Sequence, residues 1–400
     1  RRPALRRVIR QAALYLSTAD DLQAARLPVA GHPVVFRAIV AAVRAGARRV
    51  GVPAVLRSPG LDAALATSPS ARMALAWLDT AGALDAEPTL LLPAAALAPA
   101  SGLGRLLQAP PGRVLAESQS SAAPALTVDA SLLAVLHPML IAGAPLGDAL
   151  GRELKSRDLA SIPGGGWFVR VTGERAAAEA EARLREDLGS PIDSWLDTAV
   201  HRRLSKPVTR VAVALGVAPN AITVTSGVVG LGAAASVAVG EAGALVVGLL
   251  LYLLAVVLDH ADGEVARLTL TASAVGEWLD IVIDTLVHIA LVLALGVAAD
   301  RVTGAGLAAG VVGAVGVVAS AVVYKRWPPA PPTAADRGPL DALTSRDGFY
   351  AMLLLFIALR LTAPSGLPAL MMVIAVGTHA YWVARAALSL RPGRAGERRP

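Results

Sequence analysis

Residues 259–267 of this 400-residue chain are DHADGEVAR, and residues 276–284 are GEWLDIVID. Together they give the pattern D-x2-D-G-x2-A-R-x8-G-x3-D-x3-D, whose acidic positions are Asp259, Asp262, Asp280 and Asp284. The sequence around these carboxylates is otherwise apolar. An acidic residue inside a membrane-spanning segment is costly and marks a functional site by default. The four carboxylates, with a fixed arginine and two glycines, therefore predict a site that carries chemistry.

The composition predicts a soluble half joined to a membrane half. Hydrophobic residues make up 55% of the chain, but residues 1–210 carry charges throughout, whereas about 220–390 holds long apolar runs. The chain has no cysteine, which excludes disulfides and thiolate metal sites. The net charge of +7 favours contact with anionic lipid. An aromatic content of 4%, without a zinc-finger or RNA-binding motif, argues against a nucleic-acid partner.

Six apolar stretches have roughly the length that a bilayer-spanning helix needs. They are residues 221–239, 242–260, 275–298, 304–324, 348–363 and 367–386. The fifth is the weakest, because it is short and carries Arg360 near its end. Basic residues concentrate in alternate loops, on the side of the N-terminal half. By the positive-inside rule, we expect a multi-pass protein of the cytoplasmic membrane with both termini and the acidic pattern facing the cytoplasm.

The spacing of the carboxylates favours metal-assisted chemistry. Residues three or four positions apart share one face of a helix, so the second and third spans as an antiparallel pair would bring the four carboxylates together. Such a group needs cations to neutralise it. Divalent ions with oxygen ligands, such as Mg²⁺, also keep positions for phosphate oxygens and can assist displacement at phosphorus. The alternative is a transporter or scaffold that uses the acidic site without chemistry.

The pattern resembles the CDP-alcohol phosphotransferase family of integral membrane enzymes, with no departure at any fixed position. The resemblance implies an all-α, six-helix membrane domain that commonly forms homodimers. It implies that Asp259, Asp262, Asp280 and Asp284 bind two divalent cations, Mg²⁺ or Mn²⁺. It also implies that Asp284 is the catalytic base for the acceptor hydroxyl. That hydroxyl would attack the β-phosphorus of a CDP-linked donor, and CMP would leave.

The resemblance also predicts where the nucleotide binds. Residues 219–223, PNAIT, match a P-N-x2-T motif that opens the first span in the family. Glycines at 263 and 276 would let substrate or a neighbouring helix approach closely. The expected nucleotide contacts are Gly263, Ala266, Arg267, Gly276, Asn220 and Thr223.

Donor and acceptor are not fixed by the pattern, which concerns the shared CDP group. The expected donor is CDP-diacylglycerol or a CDP-polyol. For the acceptor, we expect first a polyol phosphate such as an inositol phosphate, and second glycerol 3-phosphate. Lys325, Arg326 and Arg346 are candidates for the acceptor phosphate, and they suit lipid headgroups equally well. Arg346 is the best of the three, because residues 345–347, SRD, begin a span instead of lying in a loop. We expect His260, His288 and His379 to serve packing.

The N-terminal half has an α/β pattern with a Rossmann-like sheet. Residues 27–33, LPVAGHP, resemble the opening of a sugar-phosphate nucleotidyltransferase. The expected glycine-rich loop is replaced by residues 17–21, STADD, the expected lysine by Ala24 or a neighbour, and no acid stands near residues 93–95. We therefore expect a degenerate domain that serves packing, dimerisation or regulation, with an active domain as the alternative.

These observations divide the chain into four parts. Residues 1–190 form the α/β nucleotidyltransferase-like domain, and residues 191–218 a juxtamembrane amphipathic helix with Trp195 at the interface. Residues 219–390 form the membrane domain, and residues 391–400 a basic tail. Within the first part, residues 93–124 are rich in Ala, Pro, Gly and Ser, which predicts loops.

Overall fold

The structure is a computed structural model that describes residues 8–79, 82–119, 121–155, 157, 159–163, 166–188, 196–327 and 346–390. It divides into two compact units. The first comprises residues 1–187 together with 268–271, and the second comprises residues 188–267 and 272–400. Trp195 and the basic tail lie outside the described residues.

The first unit is built on a seven-stranded mixed sheet with strand order β10-β8-β9-β6-β1-β4-β5. The strands of the unit are β1 (Gln11–Tyr15), β2 (Pro28–Val29), β3 (His32–Pro33), β4 (Arg49–Pro53), β5 (Leu75–Leu78), β6 (Thr89–Pro93), β7 (Ala96–Leu97), β8 (Arg113–Leu115), β9 (Leu126–Val128), β10 (Ala160–Ile162) and β11 (Val169–Arg170). The central strand β1 pairs in parallel with both β4 and β6, whereas β9 runs antiparallel to β6 and β8. An all-buried β1 fits this central position, since strands of parallel sheets are covered on both faces.

Eight helices of the described chain accompany this sheet: α1 (Asp21–Ala24), α2 (Val34–Ala45), α3 (Pro59–Ala66), α4 (Pro69–Ala74), α5 (Ala100–Gln108), α6 (Ala130–Ala142), α7 (Gly147–Lys155) and α8 (Glu174–Glu186). Helix α2 is followed by Gly46, whose backbone φ of 113° would be strained in a residue that has a side chain. Asp129 caps α6, because its carboxylate accepts a hydrogen bond from the Leu132 amide at 2.8 Å. The predicted α/β character of the N-terminal half is confirmed.

The prediction that residues 93–124 consist mainly of loops is only partly right. Helix α5 and strands β7 and β8 lie within that range. Leu103, Leu106 and Leu107 are buried on α5, at the spacing of one helix face. Their burial in the core stabilises a helix despite the Ala, Gly and Ser content of the segment.

The second unit is helical. A π-helical turn, Asp197–His201, leads into α9 (Arg202–Ala214). It is followed by α10 (Pro219–Val239), α11 (Ala242–Leu268), α12 (Ala274–Thr303), α13 (Leu307–Arg326), α14 (Arg346–Thr362) and α15 (Leu367–Leu390). Within the described ranges, five segments are long and apolar enough to cross a membrane: Pro219–Val239, Ala242–Leu268, Ala274–Thr303, Leu307–Arg326 and Pro364–Ala387. The fifth predicted span corresponds to a shorter apolar helix, Gly348–Thr362.

Glycines bring these helices into close contact. A Cβ atom on Gly296 of α12 would lie 2.8 Å from the Cα atom of Gly310 on α13. A Cβ atom on Gly227 of α10 would lie 2.6 Å from Cγ2 of Ile283 on α12. Small residues at such positions allow helix backbones to approach closely, which favours van der Waals packing between helices in a bilayer. The glycines thereby place α10 and α13 against α12.

Candidate active site

Three of the four predicted carboxylates form one group. Asp259 lies on α11, and Asp280 and Asp284 lie four residues apart on α12. One oxygen atom from each lies within 4.8 Å of the others. Asp280 and Asp284 are half-buried. Carboxylate oxygens are the donors that Mg²⁺ and Mn²⁺ prefer, so the donor set fits such ions.

The fourth carboxylate, Asp262, is held by a hydroxyl from a different helix. Asp262 is buried on α11, and its Oδ2 atom lies 2.5 Å from Oγ1 of Thr223 on α10. The Thr223 hydroxyl also lies 3.2 Å from the carbonyl oxygen of Pro219, one turn earlier. Thr223 is itself buried. The contact fixes the orientation of a carboxylate that stands three residues after Asp259.

The start of α10 meets the start of α12. A Cβ atom on Gly276 would lie 3.1 Å from Oδ1 of Asn220 and 3.3 Å from Oγ of Ser273. Ser273 caps α12 by accepting a hydrogen bond from the Gly276 amide at 3.1 Å. Asn220 is exposed and Gly276 is half-buried. The PNAIT segment therefore lies beside the second half of the acidic pattern.

Arg267 bends back over the first half of the pattern. A Cβ atom on Gly263 would lie 3.1 Å from Nη1 of Arg267. Arg267 is exposed, and Ala266 is half-buried beside it. The absence of a side chain at Gly263 leaves room for the guanidinium group, whose planar fork is suited to paired phosphate oxygens.

The basic candidates for the acceptor phosphate are placed differently from one another. Lys325 is exposed, with Nζ 3.7 Å from Oε1 of Glu277 and 4.5 Å from the ring centroid of Trp278, at the start of α12. The Arg326 guanidinium lies 5.6 Å from the ring centroid of Trp327. Arg346 begins α14, and its side chain lies outside the described residues.

Sequence reasoning missed a buried network at Glu264, a variable position of the pattern. Its carboxylate accepts hydrogen bonds from Arg202 at 2.7 Å, Ser205 at 2.8 Å and Thr209 at 2.6 Å. The three donors lie on one face of α9, at spacings of three and four residues. The spacing of these polar residues is visible in the sequence, but the prediction of an amphipathic juxtamembrane helix assigned them to the membrane interface instead of to a buried acid.

Of the three histidines, two pack as expected. The His288 ring stacks on Phe349 with centroids 4.0 Å apart, and a ring nitrogen of His379 lies 3.0 Å from the Val312 carbonyl oxygen. His260 differs, because it is buried and its Nε2 atom lies 3.0 Å from Oδ1 of Asp197. Both partners belong to the second unit.

One protein-family model matches the part of the chain that carries the acidic pattern. Residues 216–383 match the model of the CDP-alcohol phosphatidyltransferase family. The solved structure of Mycobacterium tuberculosis phosphatidylinositol phosphate synthase with CDP-DAG bound is similar at 19% identity, with a TM-score of 0.39, over 48% of this chain and 96% of that chain. A search of curated proteins gives no significant match. Members of this family are transferases that move a phosphatidyl group from a CDP-alcohol to an alcohol acceptor in phospholipid synthesis. The match establishes that residues 216–383 of this chain form a CDP-alcohol phosphatidyltransferase domain.

Proposed function

We propose that this domain transfers a substituted phosphate group from a CDP-linked donor to a hydroxyl of an alcohol or polyol phosphate, releasing CMP. The observation that carries the proposal is the group formed by Asp259, Asp280 and Asp284, with Asp262 held by Thr223 nearby on the same pattern. These are the positions at which the family pattern has its carboxylates. The match over residues 216–383 supports the same reaction class.

The four aspartates would hold two divalent cations, Mg²⁺ or Mn²⁺. Such ions, when bound, neutralise the pyrophosphate and stabilise charge during displacement at phosphorus. Asp284 also accepts the proton of the acceptor hydroxyl. The acceptor oxygen forms a bond to the β-phosphorus, the bond from that phosphorus to the bridging oxygen breaks, and CMP leaves with the electron pair.

The residues around the carboxylates would hold the nucleotide. Arg267, folded over Gly263, is positioned to pair with diphosphate oxygens. Asn220 beside Gly276 offers an amide to the cytidine group, and Thr223 acts through Asp262. Ala266, half-buried on the same helix, would pack against the base.

An apolar cavity supports a lipid-linked donor over a CDP-polyol. It has a volume of about 290 Å³ and lies among α13, α14 and α15. Its lining includes Val317, Phe349, Met352, Leu355, Leu370 and Ile374. Such walls suit part of an acyl chain, because the only hydroxyl groups among the described residues of this lining, those of Ser320 and Thr378, already donate to the carbonyl oxygens of Thr378 and Ala375. CDP-diacylglycerol is therefore our first donor.

For the acceptor, a polyol phosphate such as an inositol phosphate stays our first proposal, and glycerol 3-phosphate the second. Lys325, Arg326 and Arg346 are the candidate phosphate contacts. Lys325 is the best supported, because it reaches the first turn of α12, where Glu277 adjoins Gly276.

We further propose six spans, with α14 as the fifth, and both termini in the cytoplasm. The five long apolar helices support an integral membrane protein. The basic loops predict a multi-pass protein of the cytoplasmic membrane with the active site facing the cytoplasm. A homodimer is expected from the family resemblance.

The nucleotidyltransferase-like interpretation of the first unit, in its degenerate form, also stays a proposal. At the end of β1, where parallel sheets bind ligands, Asp21 is buried. Its carboxylate accepts hydrogen bonds from the amides of Ser17 at 2.6 Å and Thr18 at 3.2 Å, and from Arg170 at 2.8 Å. The Asp21 carboxylate thus accepts the backbone N–H groups that would otherwise be available to a nucleotide phosphate.

The test is CMP release by the purified full-length protein in Mg²⁺ or Mn²⁺. Donors are CDP-diacylglycerol and a soluble CDP-polyol, and acceptors are inositol phosphate, glycerol 3-phosphate and free polyols. We expect release that needs both a donor and one acceptor. No release with any pair would contradict the proposed reaction, whereas release only from the CDP-polyol would contradict the lipid-linked donor. CTP-dependent activation of a sugar phosphate by the full chain would overturn the degenerate interpretation of the first unit.

A further inference from the structure

A second cluster of metal-ligating side chains lies in the second unit, apart from the carboxylate group. It consists of Asp197, His201 and His260, all of them buried. One ligand atom from each residue lies within 4.8 Å of the others. Oδ1 of Asp197 lies 2.9 Å from Nδ1 of His201 and 3.0 Å from Nε2 of His260.

One contact of His260 assigns a hydrogen to its Nδ1 atom. Nδ1 lies 2.9 Å from the carbonyl oxygen of Val256, one turn earlier on α11. A carbonyl oxygen only accepts, so Nδ1 is the donor, and Nε2 of the neutral ring presents a lone pair. That lone pair faces the Asp197 carboxylate, which is also an acceptor. A metal-bound histidine has this arrangement, since one nitrogen ligates the ion while the other donates to a carbonyl or carboxylate.

The surroundings of His201 point the same way. The side chain is fully buried, and its Nε2 atom has no hydrogen-bond partner among the described residues. Its ring stacks on Tyr350, with centroids 5.4 Å apart and planes at 26°. His201 ends the π-helical turn that begins at Asp197, and turns of this kind are frequent at functional sites.

We infer that Asp197, His201 and His260 bind one divalent transition-metal ion of the zinc class, at a site distinct from the four-aspartate site. Two imidazole nitrogens and one carboxylate oxygen suit Zn²⁺ or Co²⁺, whereas Mg²⁺ prefers oxygen ligands alone. The ion joins the π-helical turn to α11 at the residue next to Asp259. It therefore stabilises the helix that carries the first half of the acidic pattern.

Cobalt uptake by the full-length protein tests this inference. The protein is stripped with a chelator and then titrated with Co²⁺ in excess Mg²⁺, which keeps the oxygen-only site occupied. We expect about one equivalent of Co²⁺ per chain, with the visible absorption of a four-coordinate ion. The Asp284→Asn variant should take up Co²⁺ with the same stoichiometry and affinity as wild type. His201→Gln should lower the Co²⁺ affinity by about 100-fold or more, because it removes a ligand. His379→Gln is the matched control, since it removes a histidine elsewhere in the same unit.

Two results would overturn the inference. If the wild-type protein takes up neither Co²⁺ nor Zn²⁺ in excess Mg²⁺, the cluster binds no metal ion. An additional proton, shared between Asp197 and the two histidines, would then satisfy it. Undiminished uptake by His201→Gln would place the ion elsewhere. If that variant fails to fold, X-ray absorption of the zinc-loaded wild type decides, with two imidazole nitrogens at about 2.0 Å expected and a shell without imidazole contradicting the site. None of these readouts depends on CMP release, so failure of the proposed reaction would be recognised separately.

Discussion

At the scale of single residues, the acidic pattern identifies side chains but not the bonds between them. Asp262 and Thr223 were both predicted as site residues, yet the sequence does not reveal that one holds the other. That contact exists only because α10 lies against α11, which is a property of the tertiary structure. Glu264 was overlooked for the same reason, since its three partners come from α9.

Replacing Thr223 by valine tests the contact with Asp262. The change keeps the shape of the side chain but removes the hydroxyl, so Asp262 loses its orienting partner. We expect a Mg²⁺ requirement about 10- to 100-fold higher, as for lost partners of metal ligands. A Mg²⁺ titration of CMP release measures it. Thr223→Ser is the matched control and should stay close to wild type, and equal effects of the two substitutions would count against a role for the hydroxyl.

At the scale of helices and strands, hydropathy predicted the long membrane helices closely. The predicted stretches 275–298 and 304–324 correspond to α12 (Ala274–Thr303) and α13 (Leu307–Arg326). Average hydropathy does not identify which glycines of two helices will meet, as Gly296 and Gly310 do. Conversely, the composition of residues 93–124 concealed the leucine spacing of α5.

Substitution of Gly310 by alanine tests the packing of α12 on α13. The new methyl group would lie 2.9 Å from the Cα atom of Gly296, a backbone atom that moves only with its helix. We expect a loss of about 1–3 kcal/mol in the free energy of unfolding, as for other overpacked sites. Thermal unfolding in detergent measures it. Gly243→Ala on α11 is the control, because nothing lies within 4 Å of the added atom; equal melting temperatures for the two variants would refute the close contact.

The cap of α6 makes part of the stability of the first unit sensitive to acid. The Ser131 hydroxyl, followed by the Leu132 amide, lowers the pKa of the Asp129 carboxyl below its usual value. A carboxyl whose pKa is lower in the folded than in the unfolded state stabilises the fold. This stabilisation is fully present at pH values above the unfolded pKa of about 3.9, and it is lost as the pH falls through the folded-state pKa. We expect Asp129→Ala to cost about 1 kcal/mol at pH 7.

Amide hydrogen exchange over α6 and thermal unfolding at neutral and acid pH measure the effect of the Asp129 cap. Asp129→Asn keeps a capping oxygen but cannot titrate, so it is the control. It should be nearly as stable as wild type at pH 7 and should lose less stability on acidification. An alanine variant whose α6 exchanges like wild type would show that the cap contributes nothing.

At the scale of the whole molecule, charge and hydropathy predicted an α/β half and a half with long apolar helices, and both are present. The order of the seven strands could not be predicted, because strand pairing over long distances depends on packing and not on local pattern. The number of crossings depends on α14, whose apolar stretch of Gly348–Thr362 is shorter than the other five.

Single cysteines test the six-span arrangement directly, because the chain has no cysteine of its own. We place one at each of the exposed residues Thr271, Ala305 and Ser365. A membrane-impermeant maleimide added to intact cells should label Ala305→Cys and Ser365→Cys, and should label Thr271→Cys only after permeabilisation. If Ser365→Cys is labelled only after permeabilisation, as Thr271→Cys is, then α14 does not cross the membrane.

The central claim is that the carboxylates of α11 and α12 carry out a divalent-metal-dependent transfer that releases CMP. The most direct measurement is CMP release from CDP-diacylglycerol with the active acceptor, comparing wild type with Asp284→Asn. The matched control is Asp300→Asn, near the opposite end of the same helix. The account predicts that Asp284→Asn lowers the rate by about 100-fold or more, because it removes the base and a metal ligand, whereas Asp300→Asn does not. An Asp284→Asn variant as active as wild type would contradict it.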